Sequence, residues 1–188
     1  MKKLLIMVVM MAATITASAQ QDEGTFSIAP KVGMNLANFA GDINSNSIKI
    51  GLVVGADGMY QFSPLLGLSA GVFYSMQGCS YTGDLKDNFD FLNIPVLANF
   101  YVAQNFALKI GLQPAFLLSA KQKANKSEYD VKSGMQSIDL SVPIGLSYEF
   151  ADFVIDARYN LGLTKVNKSN GSIRNSVIQF TLGYKIHI

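Results

Sequence analysis

Between Phe26 and Ile188, apolar and polar residues alternate with period two in run after run, the mark of strands with two chemically different faces. The last run is the cleanest. Ile178, Phe180, Leu182, Tyr184, Ile186 and Ile188 fall on one face, and Gln179, Thr181, Gly183, Lys185 and His187 on the other. Seven earlier runs repeat the pattern, near residues 26–37, 48–61, 66–77, 92–100, 106–119, 138–150 and 153–164. The predicted fold is all-β: an eight-stranded antiparallel up-and-down barrel.

The connections alternate in length. Short turns are predicted at Ser63-Pro64, Gln104-Asn105 and Ala151-Asp152, and longer polar loops at 39–47, 79–90, 121–136 and 165–174. Short periplasmic turns and long extracellular loops characterise bacterial outer-membrane barrels, with both termini periplasmic.

A barrel of eight strands is also compatible with a soluble, lipocalin-like periplasmic carrier, apolar inside and polar outside. Three features favour the opposite polarity, with the apolar face in lipid. Every charge on the predicted strands shares one face and the signs nearly balance: Lys31, Lys49, Lys109, Arg158 and Lys185 against Asp57, Asp139, Glu149 and Asp156. A narrow lumen demands such pairing, because an unpaired buried charge is costly. Nine of the 16 glycines share that face, where a tight concave wall leaves little room for side chains. Aromatic residues gather on the apolar face toward the short turns, at Phe26, Tyr60, Phe62, Phe100, Phe106, Tyr148, Phe150, Phe153 and Tyr184. That placement suits an interfacial girdle.

The N-terminus reads as an export signal: Lys2 and Lys3, an apolar run from Leu4 to Met11, and the small-x-small site Ala17-Ser18-Ala19. Residues 1–19 are the expected signal peptide and residues 20–188 one barrel domain. Taking Lys2 and Lys3 from the 15 basic residues leaves 13 against 13 acidic ones. The formal +2 therefore belongs to the export signal and gives no support to a nucleic-acid partner. Cys79 is the single cysteine, which excludes an intramolecular disulfide and a multi-cysteine zinc site.

The opening Ile28-Ala29-Pro30-Lys31-Val32-Gly33-Met34-Asn35, the stretch Gly71-Val72-Phe73-Tyr74-Ser75, and Phe91-Leu92-Asn93-Ile94-Pro95-Val96-Leu97 resemble the PorT-like, porin-family outer-membrane β-barrel proteins of Bacteroidota. The resemblance spans the mature chain and implies a fold and an address. The closing Thr181-x-Gly183-x-x-Ile186-x-Ile188 looks like the C-terminal signal read by the barrel-assembly machinery, although it ends in isoleucine instead of an aromatic residue.

No catalytic, metal or cofactor motif emerges. His187 is the only histidine, placed near the periplasmic rim, and a triad or metal site needs partners around it. The expectation is a protein that is not an enzyme and has no cofactor. Its candidate site is the lumen charge network of Lys31, Lys49, Asp57, Lys109, Asp139, Glu149, Asp156, Arg158 and Lys185. A second candidate is a basic loop rim of Lys121, Lys123, Lys126, Lys132, Lys165, Lys168 and Arg174, suited to lipopolysaccharide or other surface components. Eight strands leave an interior just wide enough for side chains, so the expected role is a plugged structural or interaction barrel in outer-membrane lipid. The alternative is a narrow porin-like channel for ions or small solutes. Intact-mass analysis of the exported protein is expected to place the mature N-terminus at Gln20.

Overall fold

The computed structural model describes residues 23–41, 46–81, 85–124, 127–165 and 173–188; the expected signal peptide lies outside them. Eight barrel strands follow one another around the ring. They are β1 (Phe26–Gly41), β2 (Lys49–Ser63), β3 (Leu66–Tyr81), β4 (Leu85–Asn93, continued by Val96–Ala103), β5 (Phe106–Ala124), β6 (Ile138–Phe150), β7 (Phe153–Gly162) and β8 (Ile173–Tyr184, continued by Ile186–His187). Each pairs antiparallel with its neighbours in sequence. β1 then closes the ring on β8 from Lys31 opposite Gly183 to Gly41 opposite Ile173. Across Pro30, which has no N–H, the seam skips two residues, and pairing resumes at Ile28 opposite Ile186. There the Lys185 N–H donates to the Asp152 carbonyl instead, at 2.6 Å.

The polarity is inverted relative to a soluble protein. Apolar side chains of every strand point outward, Val32 at 51% and Ile50 at 70% exposure among them, while Asn35, Gln61, Asn99 and Asp156 are buried within the ring. The soluble-carrier alternative fails on this point, because a carrier's apolar face would line the interior. The aromatic girdle is present at the short-turn end, with edge-to-face pairs Tyr60–Phe62 at 4.8 Å and Phe153–Tyr184 at 5.4 Å.

The short turns lie where the sequence places them. Two use the left-handed backbone region, at Asn105 (φ 67) and Ala151 (φ 51). The loops are shorter than expected. β3 runs on to Tyr81 and β4 begins at Leu85, within the stretch read as a loop over 79–90. β5 runs to Ala124 and pairs with a returning strand at Ser127–Asp130, so Lys121 and Lys123 lie on a hairpin. The loop pattern misleads here because these strand ends stand beyond the apolar band, where the outer face meets water instead of lipid and the apolar half of the alternation is lost.

β5 also carries an irregularity that the sequence reading misses. Asp90 pairs with Ser119 but Phe91 pairs with Leu117, leaving Leu118 as an extra residue, a β-bulge. Leu117 and Ala120 are therefore both buried inside, and Ser119, expected on the lumen face, turns to the outward side with Lys121 and Lys123.

Two glycines show how tightly the wall is coiled. A Cβ added at Gly33 would lie 1.9 Å from the Phe180 carbonyl oxygen, and one at Gly111 would lie 1.9 Å from that of Val96. Arginine at Ile144, midway along β6 and facing outward, is expected to cost about 2–4 kcal/mol, whereas arginine at Ile138, at the strand's extracellular end, should cost about 0–1 kcal/mol. Urea unfolding in lipid vesicles checks the contrast.

Candidate functional site

Inward-facing positions of all eight strands fill the lumen in layers. Nearest the periplasm, Lys185 Nζ donates to Glu149 Oε2 at 2.8 Å, and the Tyr101 hydroxyl donates to Glu149 Oε1 at 2.7 Å. Tyr101 follows Asn99 at the same alternating parity, so extending the β4 pattern by two residues finds it.

In the middle, Asp156 on β7 binds two lysines. Lys31 Nζ lies 2.5 Å from Asp156 Oδ2 and 2.8 Å from Asp57 Oδ2, while Lys109 Nζ lies 2.7 Å from Asp156 Oδ1. This layer joins β1, β2, β5 and β7 across the barrel. One layer further, the Arg158 guanidinium stands over the Phe73 ring at 5.5 Å. Amides and hydroxyls come next: Asn35 Nδ2 donates to Ser75 Oγ at 2.8 Å, and Gln77 Nε2 donates to the same oxygen at 3.0 Å.

Toward the extracellular mouth the filling turns apolar. Cys79, Phe89, Phe91, Ala115, Leu117 and Ala120 form a buried cluster, against which Val131 and Met135 pack from the segment after the β5 hairpin. A single 3₁₀ turn, Lys132–Gly134, carries that segment back over the cluster. The sequence gives little sign of this cap, because Phe89 falls within the expected loop and Ala120 lies past the phase shift of the bulge.

The nine lumen charges therefore divide. Lys31, Asp57, Lys109, Asp156 and Arg158 form the central group, and Glu149 and Lys185 the periplasmic one. Asp139 lies near the other end, accepting from Asn175 Nδ2 at 2.7 Å and from the Thr164 hydroxyl. Lys49 is also apart from the ion pairs. Its Nζ donates to the carbonyls of Gln77 and Asp87, at 2.8 and 3.1 Å. Those bonds hold the backbone around Gly78, which adopts a φ of 123°.

Between the central and periplasmic groups lies a cavity of about 20 Å³, lined by Lys31, Asp57, Lys109, Glu149 and Lys185 among others. That is room for about one water molecule.

The basic rim does not converge. Lys121, Lys123, Lys132, Lys165 and Arg174 are all exposed. The first two lie on β5 opposite Asp130 and Glu128, and Lys132 Nζ donates to the Leu118 carbonyl at 2.8 Å. Arg174 sits on β8 opposite Ala40 of β1, three strands around the ring from β5, with Lys165 following β7. Lys126 and Lys168 lie outside the described residues. Among the described residues, no group of His, Cys, Asp and Glu side chains is arranged to hold a metal ion.

A closed ring, apolar outside and polar inside, with an aromatic girdle, defines an integral outer-membrane β-barrel. The chain belongs to the family described as outer membrane protein beta-barrel domain, which matches residues 18–168. Its address is the bacterial outer membrane, where its outer face meets lipid. No curated protein matches the sequence.

Solved structures share the fold. Neisserial surface protein A is 17% identical, with 87% of this chain and 100% of that chain covered and a TM-score of 0.59. Ail of Yersinia pestis is 17% identical, with 87% and 99% covered and a TM-score of 0.53; a second Ail structure, in complex with the heparin analogue sucrose octasulfate, gives 0.55. The N-terminal barrel of Pseudomonas aeruginosa OprF is 11% identical, with 88% and 100% covered and a TM-score of 0.50.

Asp156 is 1% exposed and pairs with two ammonium groups, so Asp156→Asn removes their shared counter-charge. Breaking a buried pair in this way costs about 3–5 kcal/mol. Equilibrium unfolding in vesicles is expected to show that loss, while an exposed change such as Lys165→Gln leaves stability within about 0.5 kcal/mol.

Proposed function

We propose that this protein is a plugged structural and interaction barrel, which works through its extracellular rim and not by conducting solutes. One observation carries the reading: the lumen is filled from an ion-paired middle to an aromatic cap, with Phe73, Phe89 and Phe91 at most 1% exposed. A conducting path would have to break the bridges of Asp156 and displace those rings together.

The rim cations on the β5 hairpin stand above the lipid-facing band, a position suited to the phosphates of lipopolysaccharide or to acidic surface glycans. That the fold relative Ail has been crystallised with a sulfated heparin analogue is consistent with this use of the fold. The role is non-catalytic in this reading. The sole histidine, His187, is exposed and lies opposite Ser27 at the periplasmic end, away from the extracellular rim.

The same proposal takes residues 1–19 as a cleaved signal peptide and the last strand as the segment read by the barrel-assembly machinery. The Ile28–Asn35 and Phe91–Leu97 stretches support a place among the PorT-like barrels of Bacteroidota. Planar-bilayer recording decides between plug and channel. The purified barrel is expected to give no steady conductance steps; reproducible ion-selective steps would establish the narrow channel instead.

A further inference from the structure

The seven charged groups of the central and periplasmic layers do not balance. Lys31, Lys109, Arg158 and Lys185 carry four positive charges, and Asp57, Glu149 and Asp156 carry three negative ones. All seven are at most 7% exposed. Asp139 does not supply the missing charge. It stands six residues along β6 from Gly145, which pairs with Arg158, so about 20 Å separates the two levels.

Within this group, Arg158 Nε and Nη2 are buried and meet no protein acceptor. On the periplasmic side of that layer lies the cavity of about 20 Å³, lined by Lys31, Lys109 and Lys185 together with Asp57 and Glu149 but not by Arg158 itself. The oxygens of those two carboxylates already accept hydrogen bonds, Asp57 from Lys31 and Glu149 from Lys185 and Tyr101.

An uncompensated charge in so dry an interior is costly. Two species can remove it: an anion that enters the cavity, or a lysine that leaves its proton behind. The geometry favours the first, because the cavity is the size of one water molecule and three lysines line it against two carboxylates. We propose that the lumen binds one small monovalent anion of the halide class, held between Lys31, Lys109 and Lys185 and balancing the charge of Arg158. The anion is a structural ligand of the ion-paired layer, and the bridges to Asp57, Asp156 and Glu149 stay in place around it.

Binding to the folded barrel alone raises its stability with ligand concentration. Unfolding midpoints of the whole barrel in detergent are therefore compared in sodium chloride, sodium bromide and sodium gluconate at matched ionic strength. The midpoint is expected to be a few degrees higher in either halide than in gluconate, whose anion is too large for the cavity. Crystals grown in bromide are expected to show an anomalous peak within the ring near Lys109. Arg158→Gln, which makes the group neutral, is expected to lose the difference between halide and gluconate. Should that variant fail to fold, the wild-type comparison and the bromide peak decide alone. Equal midpoints in all three salts, or bromide confined to the outer surface, would overturn the proposal in favour of a neutral lysine.

Discussion

In hydrocarbon there is no water to satisfy a free N–H or C=O group, so a strand can cross a membrane only if both its edges are paired. Everything else in this molecule follows from closing the ring between β1 and β8. Closure with eight strands fixes a narrow bore, and the narrow bore brings carbonyl groups so close to inward positions that Gly33 and Gly111 have no room for a Cβ. It also brings side chains from opposite walls within hydrogen-bonding distance, which is why Lys31 of β1 reaches Asp156 of β7 and Asp57 of β2 together. The ion-paired layer is thus a product of closure and a brace for it.

Within that bore the filling changes character along the axis. Ion pairs occupy the periplasmic half and centre, amides and hydroxyls the next layer, and a cluster around Phe89 and Phe91 the extracellular end. The ion pairs among Lys31, Asp57, Lys109, Asp156, Glu149 and Lys185 lie where several strands supply partners. Where the wall rises beyond the membrane and fewer partners face one another, apolar packing closes the mouth, with Val131 and Met135 laid over it.

The architecture was legible in the sequence because lipid and lumen impose opposite chemistry on adjacent residues, and the resulting alternation survives in all eight strands. The inward set at Lys31, Asp57, Lys109, Glu149, Asp156, Arg158 and Lys185 follows from parity alone. Three things did not follow. Parity says which face a residue occupies but not which residues meet across the barrel, so Lys49 and Asp139 joined the expected network although they bond elsewhere. A strand end whose outer face has left the lipid loses its apolar half of the alternation, so the start of β4 at Leu85 was hidden. The bulge at Leu118 reverses the phase, so the direction of Lys121 and Lys123 could be read only from the pairing.

That bulge gives β5 an uneven tolerance to changes in length. Because Leu118 and Ser119 both lie on the outer side, losing Leu118 would iron out the irregularity and leave every remaining residue on its present face. Losing a residue from the regular part of the strand, Ile110 for instance, would exchange the wet and oily sides of everything between it and the next irregularity. The strand therefore has one site where its length can change by a residue without turning the wall inside out.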